Sequence, residues 1–368
     1  MSHTPDAARA GDPSLMCEQA RRYAEDGDPG RAAALFQQVL DLGDTPLRAR
    51  AALGLAVVLD DGGDVAAARE ADRAAIATGD PEYGPRAAYH LALTHERTGE
   101  REAAEPAWRT VVEFGNPAYL PPAHLALARI ADDAGDFEAA REQWELALAT
   151  GDAEYGTLAA HDLAQRLLER GEAARAQRAL TAGLKLIDRD AAPHAYARLA
   201  VALGIACLDQ AIGAFGAALA DPADPEVGPL AVELLARTLP LRGRPGEAPE
   251  VWRRGLADPG VAGQVRARLR RDFGGEDDEA DPADLWWEPV LEQAVAEGTL
   301  PAVAGEAFGA LDHMYALLAV RPAAGAEAGE AIGQAVRVPG GYAWGPLLQE
   351  SFAERLRLAM DAPEQPER

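Results

Sequence analysis

Lysine, serine and cysteine are nearly missing from this chain, and their scarcity removes several chemistries at once. Lys185 is the sole lysine among 35 basic residues. It follows Leu184 rather than a loop glycine, so no G-x-x-x-x-G-K-[ST] phosphate loop is present, and any Schiff-base chemistry would have to use this one amine. Serine occurs only as Ser2, Ser14 and Ser351, none of them in a G-x-S-x-G elbow. The two cysteines, Cys17 and Cys207, fit no metal or redox spacing. Both fall within expected helices and read as small buried hydrophobes. His95-Glu96-Arg97-Thr98-Gly99 opens like a zinc-protease helix, but Gly99 stands where the second histidine belongs. No nucleophile–base pair, cofactor motif or metal-ligand spacing emerges, and the expectation is a chain that is not an enzyme and holds no cofactor.

Long apolar runs are missing too. No uninterrupted stretch reaches the ~18 residues of a membrane helix, so no membrane span is expected. Met1 to Ser14 carries Pro5, Asp6, Gly11, Asp12 and Pro13 without an apolar core, unlike a signal peptide, and a cytosolic location is the default expectation. Basic charge is outweighed: 60 acids against 35 bases leave a net charge of −25. Such a surface repels phosphates and argues against nucleic-acid binding. Acid is concentrated at the end, since residues 273–368 hold 18 acids and 5 arginines.

Alanine and glycine are plentiful, and they are spaced. Gly27, Gly63, Gly99, Gly135 and Gly171 follow one another at 36-residue steps. Gly43, Gly79, Gly115 and Gly151 keep the same step. After Gly171 the signal lapses at Cys207 and returns at Gly243. Ala20, Ala56, Ala92, Ala128, Ala164, Ala200 and Ala236 form a stricter series, and each after the first is preceded by leucine. A further series runs Ala51, Ala87, Ala123, Ala159, Ala195, Ala231 and Ala267. An internal repeat of this length is the first thing a fold must explain.

Each unit reads as two helices. Asp80-Pro81 is a helix start, with the acid near the positive end and proline in the first turn. Ala87, Ala88, Leu91, Ala92 and His95 recur at steps of three and four, marking a packed face. Gly99 stops that helix by allowing a left-handed backbone. The second helix runs from Glu100 to Phe114, with Ala103, Ala104, Ala107, Trp108, Val111 and Val112 on its apolar stripe, and Gly115 ends it. Trp108, Trp144 and Trp252 share one repeat position, with Phe36 and Leu180 there in weaker copies, and core packing is their expected role.

The Leu-Ala pair, the glycine, the alanine five residues later and the aromatic four after that resemble the tetratricopeptide repeat. Leu91-Ala92, Gly99, Ala104 and Trp108 show it, as do Leu127-Ala128, Gly135, Ala140 and Trp144. The Gly-Asp junctions at Gly43-Asp44, Gly79-Asp80 and Gly151-Asp152 look like the related Sel1-like repeat, without its glycine-rich insertion. The resemblance implies an all-α, right-handed α-solenoid of about seven helix-turn-helix units over residues 14–272. The sixth unit is weakened by Gly213, Gly216 and the stretch 221–225. A helix near Val261 to Arg271, polar through Arg266, Arg268, Arg270 and Arg271, reads as the cap of the array.

The remaining boundaries come from composition. Residues 1–13 and 362–368 read as unstructured tails, and 273–283 as a solvated acidic linker lacking the geometry of a calcium loop. Residues 284–361 read as about four helices. The first is capped by Asp284 and carries Leu285, Trp286, Trp287, Val290, Leu291 and Val295. Helices at Ala302 to Val320, Glu327 to Val336 and Pro346 to Met360 follow. This segment either folds back on the repeats or forms a small bundle of its own, and one of Trp286 and Trp287 marks either a contact surface or packing against the array.

The resemblance also implies where function sits. First helices of such arrays line a concave face that holds peptide segments of protein partners. The matching positions are Arg50, Leu53, Val57 and Asp60, then Arg86, Tyr89, Leu93 and Arg97, then Leu125, Arg129, Asp132 and Asp133. His161, Gln165, Glu169, His194 and Arg237 extend the line. Arg86, Arg97 and Arg129 are suited to acidic side chains or a terminal carboxylate. The Lys and Asn set of chaperone-binding relatives is not matched. His124, His161 and His194 read as scattered histidines rather than a metal site. The first expectation is an adaptor that binds a peptide or helix of a partner. The second makes residues 284–361 an effector, with the repeats sensing a ligand or partner.

Overall fold

The computed structural model describes residues 12–220, 225–274 and 288–300, and the chain divides into two compact units between Leu203 and Gly204. In the first unit five helix pairs follow one another. They are α1 (Pro13–Glu25) with α2 (Pro29–Asp41), α3 (Arg48–Asp61) with α4 (Val65–Ile76), and α5 (Tyr83–Arg97) with α6 (Arg101–Phe114). Next come α7 (Leu120–Asp133) with α8 (Phe137–Ala149), and α9 (Tyr155–Glu169) with α10 (Ala173–Leu186).

The turn within each pair has a simple cause. Gly27, Gly63, Gly99, Gly135 and Gly171 hold φ between 75° and 84°, a left-handed conformation that a Cβ disfavours. An acid follows each glycine. Asp28, Asp64 and Asp136 accept the backbone N–H three residues on, each at 3.1 Å, and so occupy one of the unpaired amides at the start of the next helix. Between the helices lie the periodic alanines. Ala20, Ala56, Ala92, Ala128 and Ala164 are at most 1% exposed. A Cβ added at Gly84 of α5 would lie 2.6 Å from the Phe114 ring, so the ring from α6 packs directly on the α5 backbone there. Trp108, Trp144 and Leu180 are buried knobs in the second helices, as expected. The same position in α4 is Asp72, a carboxylate with no exposed surface.

First helices pack on one another as well as on their partners: α1 touches α3, α3 touches α5, and α7 touches α9. Second helices show no comparable contact. Within this unit the first helices therefore lie on the inner side of the curve. The step from α5 to α7 is looser than its neighbours.

The expected sixth pair is instead one continuous helix, α11 (Pro193–Ala220). The reason is local. Cys207 and Leu208 stand where every earlier pair has glycine and an acid, so neither the left-handed turn nor an N-terminal cap is available. Cys17 is buried as expected, whereas Cys207 lies exposed on α11. The helix also corrects the expectation that no segment has the length and composition of a membrane span. Its most apolar window has a mean hydropathy of 1.7, and 17% of that window is buried. Counting uninterrupted apolar runs missed it because Arg198, Asp209 and Gln210 break the run without much lowering the average.

In the second unit, α12 (Val227–Leu241) turns at Gly243 (φ 79°) through a short 3-10 segment, Pro245–Glu247, into α13 (Ala248–Ala257). Trp252 is buried there. The expected capping helix is α14 (Ala262–Gly274), with Val265, Leu269 and Phe273 inward. A further helix, α15 (Glu288–Glu297), packs on α13. Arg253 donates to the Val295 carbonyl at 3.1 Å, and Arg266 pairs with Glu292 at 2.6 Å. The tail at 1–11, the linker from 275, Trp286, Trp287 and the helices expected beyond 300 lie outside the described residues.

Candidate functional site

The inner side of the first unit is built from positions that follow the Leu-Ala pair. Val57 and Leu93 are both 39% exposed there, although apolar. Arg129 and Gln165 occupy the next two copies and are also exposed. Leucine at the pair and the residue after it point to opposite sides of the helix, so burying one exposes the other.

A cavity of about 390 Å³ opens on this side, between α5, α6 and α7, and reaches Tyr155 at the start of α9. Its apolar wall includes Leu93, Leu125 and Ile130, and its aromatic wall is Tyr89, Trp108 and Tyr155. The opening coincides with the loose step between α5 and α7. Tyr89 stands where the flanking first helices have Leu53 and Leu125. Its ring meets Trp108 edge-on at 5.5 Å and Tyr119, just before α7, at 5.1 Å. A longer, rigid side chain at the seam accounts for the separation. Burial first, then the charge and hydrogen bond of Tyr155, hold the Tyr89 phenol above its ordinary range.

Charge on this side is mostly matched within the chain. Arg97 pairs with Asp60 across α5 and α3. Arg129 pairs with Asp162 at 3.0 Å and Arg166 with Asp132 at 2.9 Å, both across α7 and α9. Among the described residues no ion pair joins α5 to α7; Arg101 of α6 meets Asp133 instead. Of the three arginines expected to receive acidic groups, two are therefore already paired, and Arg86 lies over the Tyr83 ring at 5.9 Å. Arg50 lies on α3, partly buried. His161 approaches Asp162 at 3.5 Å, and Gln165 approaches Glu169 at 3.5 Å. Arg237 belongs to the second unit, where it pairs with Asp272 at 2.9 Å and Glu233 at 3.2 Å. Burial pushes the Asp272 carboxyl up to about 6, against the pull of Arg237, with Glu233 adding to the rise. The structure thus gathers Tyr89, Leu93, Leu125 and Arg129 around one cavity and leaves Arg50, Arg86, Arg97, His161, Gln165 and Arg237 outside its lining.

A polar cluster beside this side was not anticipated. Asp72 Oδ2 lies 2.8 Å from His90 Nδ1, and His90 Nε2 lies 3.5 Å from Asp60. Burial raises the Asp72 carboxyl despite the hydrogen bond and charge of His90. Burial opposes charge on His90 as well, yet the hydrogen bond to Asp72 and the charges of Asp72 and Asp60 hold its pKa above the ordinary value. The break at Asp72 in the Phe36, Trp108, Trp144 series was the available signal. His95 is bound at 2.9 Å to Glu100, which Arg69 also holds, so it serves the α5–α6 turn. Among the described residues no group of three or more His, Cys, Asp or Glu is placed to hold a metal ion.

Paired helices stacked in register, with first helices on the inner side, define a helix-pair repeat protein. The comparisons sharpen that class. Residues 17–83 match the family model described as tetratricopeptide repeat, and 83–185 match one described as tetratricopeptide repeat-like domain. Residues 17–185 are tetratricopeptide repeats, and such repeats generally mediate protein–protein interaction. Among solved structures it is similar to the TPR domain of P58(IPK), at 14% identity over 96% of this chain and 100% of that one, with a TM-score of 0.24. A monomeric mutant of IFIT1 with Gppp-AAAA matches at 17% identity over 94% of this chain and 71% of that one, with a TM-score of 0.27. A circular tandem repeat protein matches at 16% identity over 95% and 88%, with a TM-score of 0.20. Among curated proteins no match is found.

Proposed function

We propose that the chain is a non-catalytic adaptor that holds an extended segment of a protein partner along the inner side of α3, α5 and α7. The observation that carries this reading is the cavity of about 390 Å³ beside an exposed Leu93, on the side where first helices face solvent. Exposed apolar residues next to a concave, partly aromatic pocket are what a partner's side chain needs in order to bury itself. The ion pairs along the same side tie α3 to α5, α6 to α7 and α7 to α9, which lowers the ordering cost of binding on either side of the cavity.

A photo-reactive residue tests this directly. Benzophenone side chains placed at Leu93 and at Val57 should cross-link one and the same partner segment in native extract. The same group at Arg109 or Glu142, exposed on second helices, should capture none of it. Equal capture from the second helices, or no capture at Leu93, would remove the inner side as the binding surface.

A further inference from the structure

We propose that the aromatic cavity between α5, α6 and α7 receives a cationic side chain of the bound segment, an arginine or a lysine. The inference rests on the adaptor reading and names the chemistry of its anchor.

One charge in the cavity is unmatched. Four charged side chains line the cavity: Glu96, Arg101, Arg129 and Asp133. Arg101 and Asp133 cancel each other. Arg129 is cancelled by Asp162, at 3.0 Å. Glu96 is left. Its recorded partner is the Trp108 indole, which donates from Nε1 to Oε1 at 2.9 Å and carries no charge. Among the described residues no cation lies in ion-pair range of Glu96, so one negative charge faces the cavity without a counterpart.

The walls suit the same occupant. Tyr89, Trp108 and Tyr155 line it together. The faces of aromatic rings attract a cation, and more strongly where water is thinned by neighbouring apolar groups such as Leu93 and Leu125. The volume, about 390 Å³, admits a long side chain and its flexible stem. An acidic anchor would meet Glu96 with no open cation to offset it. A purely apolar anchor would bury the Glu96 carboxylate unpaired. The net charge of −25 acts at longer range in the same direction, by drawing basic partners toward the chain. Arginine, planar and weakly hydrated, also stacks on rings.

The test uses the full chain and a phage-displayed library of random dodecapeptides as the probe. Selected peptides should share an arginine or lysine at one fixed place. Replacing that residue by leucine or glutamate should weaken binding at least tenfold, and an Arg-to-Lys exchange tells which cation is preferred. Glu96→Gln keeps an oxygen for the Trp108 indole and removes only the charge, so it should cost about tenfold while helix content and melting stay unchanged. Added salt should weaken wild-type binding and leave the Glu96→Gln protein less affected. Peptides that depend on Leu93 (lost in Leu93→Asp) yet carry an apolar or acidic anchor would overturn this inference and leave the adaptor reading standing. So would indifference to Glu96→Gln. Selected peptides that ignore Leu93→Asp altogether would overturn both.

Discussion

The fifth helix pair and α11 occupy successive repeat periods, yet one folds back on itself and the other runs straight. The fifth pair has Gly171-Glu172 at its turn and Leu180 as its buried knob. One period later stand Cys207, Leu208 and Gly216. Turn and knob are lost together. Without a left-handed residue the backbone continues as helix, and without a large side chain a returning second helix would have little to bury. Small alanines bring helices close, but closeness alone does not make a hairpin; the hairpin needs a stop and a reward.

The largest test of that comparison removes a knob from the regular region. Trp144 is 1% exposed, in a second helix. Trp144→Ala should cost about 3–5 kcal/mol, read as a lowered urea midpoint. A loss below about 1 kcal/mol would mean the aromatic position does not hold the pairs together.

The second pair sharpens the comparison, because its knob is polar. Asp72 carries a buried Oδ1 without a hydrogen-bond partner and leans on His90 through Oδ2. The His90 value is raised above 6.5, so its contribution is complete below pH 6.5 and is lost as pH climbs through the folded value. The raised Asp72 value acts in the same direction, being lost as pH rises above 3.8 through its own folded value. Wild-type stability should therefore decline above pH 6.5, as Asp72 is left with a neutral imidazole. Asp72→Leu restores an apolar knob. It should be more stable than wild type by about 1–2 kcal/mol in alkaline buffer, with the gain shrinking toward weakly acidic buffer. Urea unfolding of both proteins at the two ends of that range is the measurement. A gain independent of pH would exclude the His90 linkage.

Legibility in the sequence tracked how tightly the backbone constrains residue choice. Positions needing positive φ admit glycine, and positions where helices touch admit alanine, so the five pairs and α12–α13 could be read from spacing. The lapse at Cys207 was visible, yet it read as a faded copy of a turn, because a missing stop has no residue of its own to announce it. At the site, Tyr89, Leu93, Leu125 and Arg129 were found through the repeat register. The opening between α5 and α7 was not, since it depends on how far one tyrosine ring reaches. Nor were the pairings of Arg97 with Asp60 and Arg129 with Asp162. Those partners sit one period away, and side-chain rotamers choose among several nearby acids. Asp72 was legible in principle, lying one period before Trp108, and its burial follows from that register alone.

The smallest effects come from one substitution made in both settings. Gly135 holds φ at 80° in the turn between α7 and α8, and a Cβ there meets no neighbour within 4 Å. Any penalty for Gly135→Ala is therefore conformational, about 1–2 kcal/mol for forcing an L-residue into the left-handed region. Gly216 lies inside α11, and an added Cβ likewise meets nothing within 4 Å. Its backbone is helical, so Gly216→Ala should stabilise by about 0.5–1 kcal/mol, the ordinary gain of alanine over glycine in a helix interior. Opposite signs from one chemical change would show that the repeat lost its turn in this period rather than merely disguising it. A destabilising Gly216→Ala would instead mean that α11 needs flexibility, or an uncovered small residue, at that point. Chemical denaturation resolves both variants, because a 1 kcal/mol change moves the midpoint by roughly 0.3–1 M urea at ordinary slopes.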